Sequence, residues 1–223
     1  MEPFIVNESL TEDTVSKYAQ EISVADADEQ FGISEEVNFP YPKFSDKQKT
    51  YVISGDVTVD EISVSKQDWS PFNLIIDGNL TVLDTIDWSE WGNGSFLYVT
   101  GNMTAKNVFL AGCPEVIVKG DLKAENGIVG SQGDNGGSLI VLGDTSAKLI
   151  YCTTYFGMDF AERPEAFIIA AEYDFMFDVD LNESDCDAVA EKIAAECQPD
   201  DEGEMDVHVV KEFLRAGKSI FVS

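Results

Sequence analysis

A glycine followed by aspartate or asparagine recurs five times in an alternating apolar pattern, and this recurrence limits the fold more than any other feature of the chain. The first two units are Ile53-Ser54-Gly55-Asp56-Val57-Thr58-Val59 and Ile76-Asp77-Gly78-Asn79-Leu80-Thr81-Val82. Three more follow: Val99-Thr100-Gly101-Asn102-Met103-Thr104-Ala105, Val118-Lys119-Gly120-Asp121-Leu122-Lys123-Ala124 and Val141-Leu142-Gly143-Asp144-Thr145-Ser146-Ala147. Their glycines lie 23, 23, 19 and 23 residues apart. That period is too short for a propeller blade, and the apolar residues alternate in twos rather than at helical spacing, so short β-rich coils are what remain.

Alternation assigns each position a side. Ile53, Ile76, Val99, Val118 and Val141 form one inward column, and Leu74, Leu97, Val116 and Leu139 form a second, two residues earlier. Thr58, Thr81, Thr104, Lys123 and Ser146 fall between inward positions and face outward. The Gly-Asp/Asn pair marks a corner, because glycine accepts positive φ and a short polar side chain bonds to nearby backbone. Stacked equivalent strands run parallel, and the handedness of parallel crossovers predicts a right-handed coil. The expected fold is mainly β: a short right-handed parallel β-helix (β-solenoid) of about five to six coils, with terminal α-helical and strand caps. At about 4.8 Å per coil, five coils span roughly 24 Å. The domains expected are an acidic N-terminal capping segment over 1–48, the solenoid over 49–160, and an acidic C-terminal cap with two helices over 161–223.

One outward column breaks the pattern. Val52, Ile75, Tyr98, Ile117 and Ile140 are all apolar, and such a stripe requires a cover. The expected cover is a terminal helix, drawn from 14–22, 185–196 or 206–216; the alternative is a second subunit, giving a small homo-oligomer. The last segment places Val207, Val210 and Leu214 at helical spacing and stops at Gly217. Open solenoid ends also invite polymerisation. Phe4-Ile5-Val6, Phe167-Ile168-Ile169 and Phe175-Met176-Phe177 are strand-like segments suited to closing them.

Charge narrows the partners. Forty-two acidic residues against fourteen basic ones give a formal charge of −28, which repels phosphate backbones and favours a basic protein partner over nucleic acid. Solubility alone is the competing explanation. Residues 172–206 hold fourteen carboxylates and one cation, Lys192, whereas 1–36 hold ten and only Lys17. No apolar stretch is long enough to span a bilayer, and the first residues lack a basic, apolar leader, so a cytoplasmic location without membrane attachment is expected.

The inventory for catalysis is thin. His208 is the only histidine, the repeats contain no arginine, and Arg163 and Arg215 lie beyond them, so no enzyme activity, cofactor or metal is expected. Residues 178–182 resemble the start of a calcium loop, but Glu183 and Val189 stand where glycine and glutamate are needed. The glycine-rich stretch 127–137 lacks the Lys-Ser/Thr ending of a phosphate loop. Cys113, Cys152, Cys186 and Cys197 have no metal-ligand spacing and read as buried thiols. The expected partner-binding residues lie where the first two coils extend: Asp68 and Trp69 in one, and Asp87, Trp88, Glu90 and Trp91 in the next, expected to stack one coil apart. Trp beside carboxylates suits a hot spot for a basic partner, and packing of the rings onto a terminal segment is the competing reading.

The tandem pattern, clearest in Leu74-Ile75-Ile76-Asp77-Gly78-Asn79-Leu80-Thr81-Val82, resembles the bacterial β-solenoid proteins described as polymer-forming cytoskeletal, or bactofilin-like. The closing Phe213-Leu214-Arg215-Ala216-Gly217-Lys218-Ser219-Ile220-Phe221 resembles the tail of such proteins encoded beside polymorphic toxins. The likeness covers residues 51–151 and the tail. It implies a bacterial immunity protein that binds a basic cognate toxin and blocks its active site, or alternatively a polymer-forming scaffold.

Overall fold

The computed structural model describes residues 4–6, 8–36, 49–66, 72–132, 137–153, 155–170, 193–199 and 205–221. Its body is a parallel β-solenoid of about five turns, whose strands stack on three faces. The first face carries β3 (Lys49–Ser54), β6 (Phe72–Asp77), the end of β8 (Thr85–Val99), the end of β9 (Met103–Val118), β11 (Ser138–Val141) and β13 (Gly157–Phe160). On the second lie β4 (Val57–Val59), β7 (Leu80–Val82) and the starts of β9, β10 (Leu122–Ser131) and β12 (Thr145–Cys152). The third holds β5 (Ile62–Lys66), the start of β8, the middle of β9, the ends of β10 and β12, and β14 (Glu165–Ala170).

Register follows the sequence columns. Ile53 stands opposite Ile76, Ile76 opposite Val99, Val99 opposite Val118 and Val118 opposite Val141. These residues are between 0% and 4% exposed, and Leu74, Leu97, Val116 and Leu139 are fully buried beside them. The ladder continues through β13 and β14 to Ala170, past the expected edge at residue 160, because Met158, Phe160 and Ile168 carry the inward alternation onward. Residues 175–177 lie outside the described residues.

The corners show why glycine precedes Asp or Asn. Asn79 N–H donates to Asp56 Oδ1 at 2.9 Å, Asn102 N–H to Asn79 Oδ1 at 2.8 Å, Asp121 N–H to Asn102 Oδ1 at 2.9 Å and Asp144 N–H to Asp121 Oδ1 at 3.0 Å. Each side chain thus holds the coil above it. A Cβ on Gly101 or Gly143 would lie 2.6 Å from the oxygen of this ladder. Positive φ, the expected reason, applies at Gly55 (φ 99°) but not at Gly101, Gly120 or Gly143; close approach between coils is what excludes a side chain there.

The N-terminal segment closes the lower end on all three faces. β1 (Phe4–Val6) pairs in parallel with β4, Leu10 bridges Ile62, and β2 (Gln20–Ile22) pairs antiparallel with β3. Val6, Leu10 and Val15 are at most 1% exposed and plug the core. The helix expected over 14–22 is instead a single turn, α1 (Glu12–Val15), followed by β2, because the free edge of β3 draws Gln20–Ile22 into strand pairing.

Candidate binding surface

The outward stripe is covered, but by a helix the sequence reading passed over. α2 (Val24–Phe31) and α3 (Ile33–Glu36) lay Ala27, Ile33 and Phe31 on Ile75, Tyr98 and Ile117. Tyr98 Oη donates to the Phe31 carbonyl at 3.2 Å. Signals for α2 exist: Ser23 accepts from the Asp26 N–H at 3.0 Å as its N-cap, and Gly32 closes it at φ 66°. The helix is short and its mean hydropathy low, so apolar periodicity alone does not reveal it.

The helix expected over 206–216 forms as α4 (Val207–Arg215), capped by Asp206, which accepts from the His208 and Val209 N–H groups. Gly217 ends it, as the sequence indicates, with the Lys218 N–H donating to the Phe213 carbonyl at 2.9 Å. It does not cover the expected stripe. It lies on the third face, over a second outward column that the sequence reading missed: Phe109, Val129, Tyr151 and Ile169, each at most 3% exposed. The uninterrupted apolar runs Val108-Phe109-Leu110 and Ile168-Ile169 are its signal, since a strand covered on both sides loses its alternation. Tyr151 Oη pins the segment by donating to the Met205 carbonyl at 2.7 Å and accepting from the Met205 N–H at 3.0 Å. Of the other expected C-terminal helix, 185–192 lie outside the described residues, and Ala195–Cys197 is a 3-10 turn.

The expected binding residues separate. Asp68 and Trp69 lie outside the described residues, as does the side chain of Trp91. Asp87 to Glu90 stack on Ser63 to Lys66, not on 68–69, because β5 enters the ladder directly from the corner at Glu61. Trp88 and Glu90 point inward, correcting their assignment to a surface. Trp88 is fully buried; its ring packs at 5.5 Å on Phe72 and its Nε1 donates to Ser95 Oγ at 2.9 Å. Ser95 Oγ in turn donates to Glu90, itself 5% exposed. The alternation that makes Ile86 inward makes residues 88 and 90 inward too.

Asp87 faces outward and is spent within the chain. It pairs with Arg215 of α4, whose guanidinium lies 5.1 Å from the centroid of the Phe109 ring. Lys211 Nζ stands 5.4 Å from the same ring, and burial holds its ammonium below the usual lysine range, with Asp87 opposing the shift. Cations of α4 are thus turned onto the solenoid.

The second face is different. Its outward residues Thr58, Thr81 and Ser146 are half-buried, and Thr104 and Lys123 are exposed. Asp56, Asp121 and Asp144 line one corner, and Asp60, Asp84 and Glu125 line the other, all exposed. Glu115, on the first face, is the main electrostatic anomaly. It is 5% exposed, its Oε2 has no hydrogen-bond partner among the described residues, and burial pushes its carboxyl up to about 8. His208 is exposed on α4, and Cys113, Cys152 and Cys197 are buried; Cys186 lies outside the described residues. Among the described residues no group of three or more His, Cys, Asp or Glu is placed to hold a metal, and no helix is long and apolar enough to cross a membrane.

Comparison with protein-family models, curated proteins and solved structures gives no match to the chain. What the fold defines by itself is a class, a parallel β-solenoid with helical covers.

Proposed function

We propose that the chain is a non-catalytic protein-binding module, an immunity protein that neutralises a basic cognate toxin by occupying its active site. The observation that carries this reading is closure with acid left outside. The chain's own helices lie on two faces and the lower edge is occupied on all three, while corner carboxylates remain exposed in a chain of net charge −28. An antiparallel β2 on the lower edge also interrupts the parallel pairing that a polymerising scaffold would propagate. Carboxylates on a rigid body steer a cationic protein and compete for a site built to hold phosphate.

The test is affinity purification of the full chain from its native bacterium, followed by co-expression with the basic protein recovered in stoichiometric amount. Protection of cells and a one-to-one complex whose association slows with salt are expected. Recovery of the chain alone, as filaments, would favour the scaffold.

A further inference from the structure

On the second face every outward residue from Thr58 to Ser146 is exposed or half-buried. On the first, Ile75, Tyr98 and Ile117 are at most 1% exposed beneath α2 and α3; on the third, Phe109 and Val129 are fully buried beneath α4. A second, independent feature points to the same place. Four large apolar side chains among the described residues are exposed: Ile5, Leu83, Leu142 and Tyr155. Three of them border the second face. Ile5 stands one rung below Thr58, Leu83 follows β7 at one corner, and Leu142 precedes the Gly143 corner.

Charge along this face is uneven. Asp56, Asp60 and Asp84 frame its first two coils, where the outward residues Thr58 and Thr81 are neutral. Lys106 approaches Asp84 at 3.7 Å from the third coil, with both side chains about half exposed, and Lys123 and Lys148 interrupt the acid higher up. Exposed apolar groups ringed by carboxylates are the complement of a protein surface that presents Lys or Arg around an apolar centre. A second copy of the chain is disfavoured by its own charge of −28, and residues 172–191, rich in carboxylates, would meet the same repulsion.

Resting on the reading of the chain as a binder of a basic protein, we infer that the partner docks on the second face over its first two coils, on Thr58, Thr81 and Leu83 between Asp56, Asp60 and Asp84. Two rungs by a strand and its corners cover roughly 200 Å², about a quarter of what one side of a standard interface buries. The footprint therefore wraps at least one acidic corner.

The experiment uses the full chain, isotope-labelled, with lysozyme as a small folded cationic probe at low salt. Amide shifts are expected to concentrate at residues 56–60 and 80–84. The variant Asp60→Asn with Asp84→Asn is expected to weaken binding at least fivefold more than Asp13→Asn with Glu29→Gln, which removes the same charge from the N-terminal segment. Leu83→Ser, a mild surface change, is expected to weaken it as well without altering the charge. Equal weakening by both charge variants would show attraction by net charge alone and overturn the face while leaving the basic-partner reading intact. Absence of any binding by the folded wild-type chain would instead contradict that reading itself. Dimerisation through Leu83, seen as a mass change on Leu83→Ser, would make a second copy the occupant and overturn the inference.

Discussion

At the scale of residues, the corner ladder converts one repeated dipeptide into vertical cohesion. Asp56, Asn79, Asn102 and Asp121 each accept from the backbone of the coil above, and Gly101, Gly120 and Gly143 leave room for the last three. Gly101→Ala would press a Cβ to 2.6 Å from Asn79 Oδ1 and 2.8 Å from the Gly78 carbonyl, and is expected to cost about 2–3 kcal/mol, read as a lower urea midpoint. Glu115 sets a pH dependence. Its folded-state value of about 8 lies above the ordinary 4.5, so its favourable contribution is complete below pH 4.5 and is lost as pH rises towards 8. Glu115→Gln is expected to flatten the fall in stability between those limits and to add on the order of 2 kcal/mol at pH 7. Denaturation at pH 5 and pH 7.5 checks this; equal gains at both would contradict it. Trp88→Ala removes a buried ring and its hydrogen bond to Ser95, so a loss of about 3–5 kcal/mol in stability is expected. Unchanged melting would return Trp88 to the surface.

Elements show how far the sequence could be read. The coils were legible because alternation and the Gly-Asp/Asn corners agree over five units, and β1 and β14 follow from Phe4-Ile5-Val6 and Phe167-Ile168-Ile169. The need for a cover over Ile75 and Tyr98 was legible too, but its identity was not: α2 announces itself through Ser23 and Gly32 rather than through hydrophobic spacing. α4 was legible as a helix, yet its seat depends on the third-face column of Phe109 and Tyr151, which only the register exposes. The binding residues fared worst, since Asp87, Trp88 and Glu90 look alike in sequence but alternate between an ion pair outside and a core inside. α4 docks mainly through Val210 and Leu214, with Leu214 against Gly127. Leu214→Ala is therefore expected to raise hydrogen exchange across 207–215 while the coils stay protected. Arg215→Ala, at a partly exposed pair, is expected to cost less than about 1 kcal/mol.

For the whole molecule, helices lie on two faces and the lower edge is occupied, while corner carboxylates stay exposed. Self-repulsion at −28 predicts that raising salt through the range where the Debye length falls from about 30 to 10 Å stabilises the fold. Melting temperature in a sodium chloride series checks it; melting that falls with salt would indicate that specific ion pairs outweigh the repulsion. The central proposal is that this is a binding body rather than a unit of a polymer. Sedimentation velocity at physiological salt, on the chain alone and with the basic protein that co-purifies with it, tests that most directly. The account predicts a single 24.5 kDa species at every concentration of the chain alone and a one-to-one complex with the partner; filaments, or a mass that grows with concentration, would contradict it.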